Sequence, residues 1–113
     1  MDKEDVVAAL AALAQEHRLE VYRMLVQSGP GGMAAGEVAS AVGIPPNTLS
    51  FHFDRLRHAG LVSFERQGRS LIYSARYDTM NALIDYLTEN CCSGKPDLCK
   101  SVNRGAKRKK VPA

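Results

Sequence analysis

All three cysteines of this chain, Cys91, Cys92 and Cys99, sit together near its C-terminal end. Thiolates are soft donors and select soft ions. A trivalent arsenic or antimony centre takes three of them in a pyramid, its lone pair filling the fourth direction. Zinc competes, but it prefers four ligands and often a C-x2-C pair, so Asp97 or a distant histidine would have to complete its shell. A thiol redox switch also fits three neighbouring cysteines, and so do inert thiols without function. Adjacent side chains on a regular helix diverge by about 100°, so Cys91 and Cys92 can meet on one ion only where a helix frays. Gly94 and Pro96 favour a bend that returns Cys99 to the same subunit, and closing so short a loop carries a modest entropic cost. A helix C-terminus disfavours a thiolate. Lys95 and Lys100 are the nearby cations that would favour it, whereas a bound metal enforces deprotonation by itself.

A second constellation lies in mid-chain. His52-Phe-Asp-Arg-Leu-Arg-His-Ala-Gly-Leu-Val-Ser63 reads as the end of an amphipathic helix stopped at Gly60 and followed at once by a strand. That strand enters the turn Gln67-Gly68-Arg69-Ser70 and leaves through Leu71–Arg76. A helix feeding directly into a hairpin on a small helical chain predicts a winged helix-turn-helix that reads DNA.

Length and charge bound the possibilities. With 113 residues the chain is expected to form one domain. No apolar run is long enough to span a bilayer, and the acidic start Met1-Asp-Lys-Glu-Asp5 is not a signal peptide. A cytoplasmic location with reduced thiols is expected, and an odd cysteine count argues against a disulfide framework. The formal charge of +3 is a tail effect. Residues 1–99 carry 9 Lys+Arg against 12 Asp+Glu, while residues 100–113 carry 6 basic residues and no acid. DNA affinity must therefore come from where a few arginines stand, not from an overall basic field. The basic tail itself reads as a solvated end.

The elements follow from periodicity and breakers. Val6, Val7, Leu10, Leu13 and Ala14 predict a helix over about 4–15, and Leu19, Val21, Tyr22, Leu25 and Val26 a second over about 17–28, ended by Gly29-Pro-Gly-Gly32. A short helix over 35–42 turns Val38, Ala39 and Val42 inward and stops at Gly43. Pro45-Pro46 opens the next, where a missing amide proton costs nothing. Strands fit about 61–66 and 70–76, and a last helix about 78–91 with Asp78 as its N-cap. The expected class is mainly α with a β-hairpin wing, in the order ααααββα. Residues 1–92 are expected to form the DNA-binding domain, which the family resemblance given below also makes the dimerisation domain, and 93–113 a flexible, cysteine-containing and then basic tail.

Stepping about 100° per residue along the fourth helix puts Leu49, Phe53 and Leu56 on one buried stripe. Asn47, Phe51, Asp54, Arg55 and His58 face the other way, with Thr48 and Ser50 on the flanks. The N-terminal part of such a helix meets base edges. Asn47, Thr48, Ser50 and Phe51 are therefore the expected contacts, with Arg55 for a phosphate. Asp54 would repel phosphate unless it pairs with Arg57 or His58, and His52 reads as a hydrogen-bonded structural residue. Arg66 and Arg69 flank the hairpin turn, where long cations reach phosphates or a narrow minor groove. A solvated helix face and charged protection of an edge strand are the blander readings of these same residues. No catalysis is expected: the Gly29–Gly32 run lacks the lysine and hydroxyl of a nucleotide loop. The paired cysteines end a helix where an oxyanion cradle would need them before one.

Ala12-Leu-Ala14 with Arg18-Leu19, Thr48-Leu-Ser-Phe-His52, Leu56 and His58-Ala-Gly-Leu-Val62 together resemble the ArsR/SmtB family of metal-responsive repressors, over about residues 6–90. The resemblance implies a homodimer through the first and last helices, bound to an inverted-repeat double-stranded operator and released by inducer. Two common sensor patterns of the family are missing. A Cys-Val-Cys motif would fall at Ala34-Ala-Gly36, and the last helix has no histidine between Asp78 and Asn90. Asn90-Cys-Cys-Ser-Gly-Lys-Pro-Asp-Leu-Cys99 is similar to the C-terminal three-cysteine site of arsenical-responsive members. That likeness implies As(III) or Sb(III) as inducer at Cys91, Cys92 and Cys99, with no further cofactor. Two different functions also fit the chain: a winged-helix repressor sensing zinc, another thiophilic metal or oxidants, and a dimeric interaction module that no longer binds DNA.

Overall fold

The computed structural model describes residues 1–94. Its elements run α1 (Lys3–Leu13), α2 (Glu16–Ser28), β1 (Met33–Ala34), α3 (Ala35–Val42), α4 (Pro46–His58), β2 (Val62–Gln67), β3 (Ser70–Ala75), α5 (Tyr77–Thr88) and the single 3-10 turn Cys91–Gly94. This is a winged helix-turn-helix in the expected order, with one addition. Residues Met33–Ala34 pair antiparallel with β3, so the wing is a three-stranded sheet in the order β1-β3-β2. Two residues carry too short a pattern to announce a strand. Only partner pairing makes them one. Gly32, at φ +73°, makes the approach possible: a Cβ there would run into the Tyr73 carbonyl.

Local chemistry sets the boundaries. Asp2 caps α1, its side chain accepting from Asp5 N at 2.8 Å, while Asp5 accepts in return from Asp2 N. Gln15 divides α1 from α2 by accepting from Arg18 N at 2.9 Å, and Arg18 Nε donates to Ala12 O at 2.6 Å. The end of α4 is a Schellman closure. Gly60, at φ +78°, donates to Arg57 O, and Leu61 N donates to Leu56 O at 3.0 Å. The chain then enters β2 directly.

The last helix departs from expectation at both ends. It starts at Tyr77, so Asp78 lies inside the first turn and is not the N-cap. Asp78 instead takes a bond from the Arg76 guanidinium at 3.0 Å, which holds its carboxyl below the ordinary range. It also ends early, at Thr88, whose hydroxyl donates to Ile84 O at 2.7 Å. Asn90, with φ 56°, then turns the backbone out of the helix.

Two units are distinct, Met1–Leu83 and the residues from Ile84 onward. The core of the first is built from Val21 and Leu25 of α2, Val38 of α3, Leu49, Phe53 and Leu56 of α4, and Leu61, Val62 and Tyr73 of the wing. On α1 the inward positions are Val6, Ala9 and Ala12, while Val7 and Leu10, two of the residues whose spacing predicted the helix, are exposed. In the second unit Ile84 and Leu87 are likewise exposed. Of the expected tail only Ser93 and Gly94 are among the described residues; the rest, with its basic run, lies outside them.

Candidate nucleic-acid interface and thiol pair

The turn Gly43-Ile-Pro45 hands α3 to α4, with Gly43 in the left-handed conformation and Gly43 N donating to Ala39 O at 2.8 Å. Pro46 opens α4 and needs no amide proton there. Leu49, Phe53 and Leu56 are buried, which fixes the helix rotation and turns the opposite face outward. On that face Asn47, Thr48, Ser50, Phe51 and Arg55 are all exposed. Asn47 Oδ1 accepts from Thr48 N at 3.0 Å, leaving the amide hydrogens to donate elsewhere. Phe51 is 54% exposed, with the Arg55 guanidinium 5.2 Å from its ring centre. Two of the expected contacts thus stiffen one another.

Asp54 pairs with Arg57 at 3.6 Å, one of the two partners its position offered. Both groups are well exposed, so the pair neutralises charge more than it stabilises. His58 bonds instead to the Asp54 backbone carbonyl, through Nδ1 at 2.7 Å. His52 is buried, but not as a hydrogen-bonded residue at Nδ1, which has no partner among the described residues. Its ring meets His17 edge-on at 5.7 Å. Burial first, then the charges of Arg18 and His17, lower its pKa.

Arg66 and Arg69 stand exposed at the hairpin tip. Gln67 pairs with Ser70 around the two-residue loop Gly68-Arg69, with positive φ at Gly68 alone, as a II′ turn requires. Phe64 of β2, which the sequence reading did not single out, is 43% exposed, with Arg57 over its ring at 5.9 Å. The available signal was its place on the same strand face as Arg66.

At the other end of the described chain Cys91 and Cys92 lie in the 3-10 turn, with Cys92 at φ 57°. Their sulfurs stand 3.2 Å apart. Both are half-buried. Cys99 lies outside the described residues, and no cluster of three metal-ligating side chains occurs among those described.

Residues 13–63 match a helix-turn-helix domain family. The chain is similar to the HTH-type transcriptional regulator YgaV of Escherichia coli K12, 33% identical over 89 residues that cover 79% of this chain and 88% of that protein. Among solved structures, HlyU from Vibrio cholerae superposes with a TM-score of 0.64 at 29% identity, covering 81% of this chain and 99% of that one. The homodimeric winged helix-turn-helix DNA-binding domain of a possible ArsR-family regulator from Mycobacterium bovis superposes with a TM-score of 0.63 at 28% identity, covering 77% and 81%. Among the described residues no helix is long and apolar enough to cross a membrane. Because the likeness extends well past the helix-turn-helix itself, the chain belongs to the ArsR family of winged helix-turn-helix, DNA-binding transcriptional regulators.

Proposed function

We propose that this regulator is a homodimeric repressor that leaves its operator when As(III) or Sb(III) binds Cys91, Cys92 and Cys99. The observation that carries the reading is the 3.2 Å approach of the Cys91 and Cys92 sulfurs, outside a regular helix and ready to share one soft ion. Cys99 supplies the third thiolate. Asn47, Thr48, Ser50 and Phe51 read base edges in an inverted-repeat operator, Arg55 holds a phosphate, and Arg66 and Arg69 reach the flanking backbone. The exposed apolar pairs Val7/Leu10 of α1 and Ile84/Leu87 of α5 support dimerisation through those helices, as does the dimeric state of the Mycobacterium bovis domain. Metalloid capture at the end of α5 then couples to DNA affinity as a free energy between two sites.

Anaerobic titration of reduced protein with arsenite tests the sensor. The expected result is one arsenic bound per monomer with all three thiols lost, and release of a bound operator duplex over the same range. A Cys99→Ser dimer that lets go of DNA at the wild-type arsenite concentration would overturn the three-thiolate assignment.

A further inference from the structure

We propose that Cys91 and Cys92 are also a site of reversible oxidation, closing into a vicinal disulfide when a hydroperoxide reaches them. On a helix, neighbouring side chains point about 100° apart and cannot join. Here Asn90, Cys92 and Ser93 have left the helix with φ of 56°, 57° and 53°, and the two sulfurs face each other at 3.2 Å. A disulfide bond is about 2.05 Å long, so closure needs a shift of only about 1 Å. Both side chains are half-buried and so within reach of a small oxidant.

The reaction balances with the peroxide as sole oxidant. One thiolate attacks the peroxide, breaking its O–O bond and releasing water or an alcohol, and becomes a sulfenic acid. The neighbouring thiolate attacks that sulfur, forming the S–S bond and expelling hydroxide, which leaves as water with a thiol proton. The pair gives up two electrons and the peroxide accepts them. The product is strained, because adjacent α-carbons lie about 3.8 Å apart while ordinary disulfides need at least about 4.4 Å. Strained disulfides have oxidising potentials and are readily reduced. The ring therefore forms under peroxide and opens again with a dithiol. While closed, it withholds two of the three cysteine sulfurs from any soft ion.

The decisive protein is full-length Cys99→Ser, which keeps the pair and removes the third thiol. After anaerobic reduction and exposure to hydrogen peroxide, both remaining thiols should disappear and the intact mass should fall by two hydrogens. The chain should stay monomeric on a non-reducing gel, and dithiothreitol should restore the thiols. In the wild type Cys99 should remain open to alkylation after the same treatment. Persistence of both thiols, oxygen adducts without ring closure, cross-links between subunits, or a wild-type disulfide to Cys99 would each overturn the assignment. The arsenite titration uses reduced protein, so either reading can fail while the other stands.

Discussion

The ring of Phe53 lies flat on that of Tyr73, centroids 3.6 Å and planes 3° apart. Phe53 belongs to the buried face of α4 and Tyr73 to the central strand of the wing, so one stack joins the DNA-reading helix to the sheet. Phe64 extends it, tilted against Tyr73 at 5.3 Å. Truncating Phe53 to alanine should cost about 3–5 kcal/mol by urea denaturation, since the cavity left between helix and sheet cannot collapse freely. A Phe53/Tyr73 double-mutant cycle should return a coupling of about 0.5–1.5 kcal/mol, the value of an aromatic pair beyond its buried area. Additivity within error would show that the stack is only shared burial.

Gly32 and Gly36 should respond oppositely to alanine. At Gly32 the new Cβ meets the Tyr73 carbonyl and the left-handed φ of +73° penalises any side chain. Gly32→Ala should therefore weaken β1 pairing and lower stability by more than about 1 kcal/mol. Gly36, inside α3, has open space around it and no special φ. Gly36→Ala should raise stability by up to about 1 kcal/mol. Equal effects at the two positions would mean that the approach to Tyr73 does not constrain the backbone.

Why much of this was legible before the structure lies in how strongly each feature is written locally. Leu49, Phe53 and Leu56 repeat at helical spacing, Gly43 and Gly60 end their helices, and Gly68 sets the hairpin, so the helix-turn-helix and its outward face follow from short-range chemistry. Tertiary packing decided what was missed. β1 exists only because Tyr73 and Ile72 pair with it. Helical spacing on α1 did not say which apolar residues face the core: Val6 does, with Ala9 and Ala12, while Val7 and Leu10 are exposed. The hydrophobicity of a stripe does not tell whether its partner lies in the same chain. The early stop of α5 at Thr88 has no strong breaker behind it; Asn90 is the sole local sign.

Salt dependence should separate the two kinds of contact proposed for DNA. Arg66→Ala and Arg69→Ala should weaken binding to all duplexes alike, each reducing the slope of log affinity against log salt by about 1. Asn47→Ala should leave the slope unchanged and relax discrimination at one base pair by about 1–3 kcal/mol. Fluorescence anisotropy with an operator selected from random duplexes reads both. An unchanged slope in the wing variants would remove Arg66 and Arg69 from the interface.

Stability should fall with mild acid because of His52. Its imidazole is buried on α4, its Nδ1 has no partner among the described residues, and Arg18 and His17 of α2 face it with charge of the same sign. Burial, the largest cause, and those neighbours hold its folded-state pKa below the ordinary 6.5. The unfolded chain then binds the proton first as pH drops, so unfolding takes up protons. The neutral ring's contribution is complete above 6.5 and is lost progressively as pH falls from there to the lower folded value. Urea unfolding of His52→Leu from about pH 7.5 to about pH 5 should show a flatter profile than wild type, above the range where carboxylates take over. His17→Gln should keep most of the wild-type slope, because it removes the smallest of the three causes. A His52→Leu profile as steep as that of the wild type would place the acid sensitivity elsewhere in the fold.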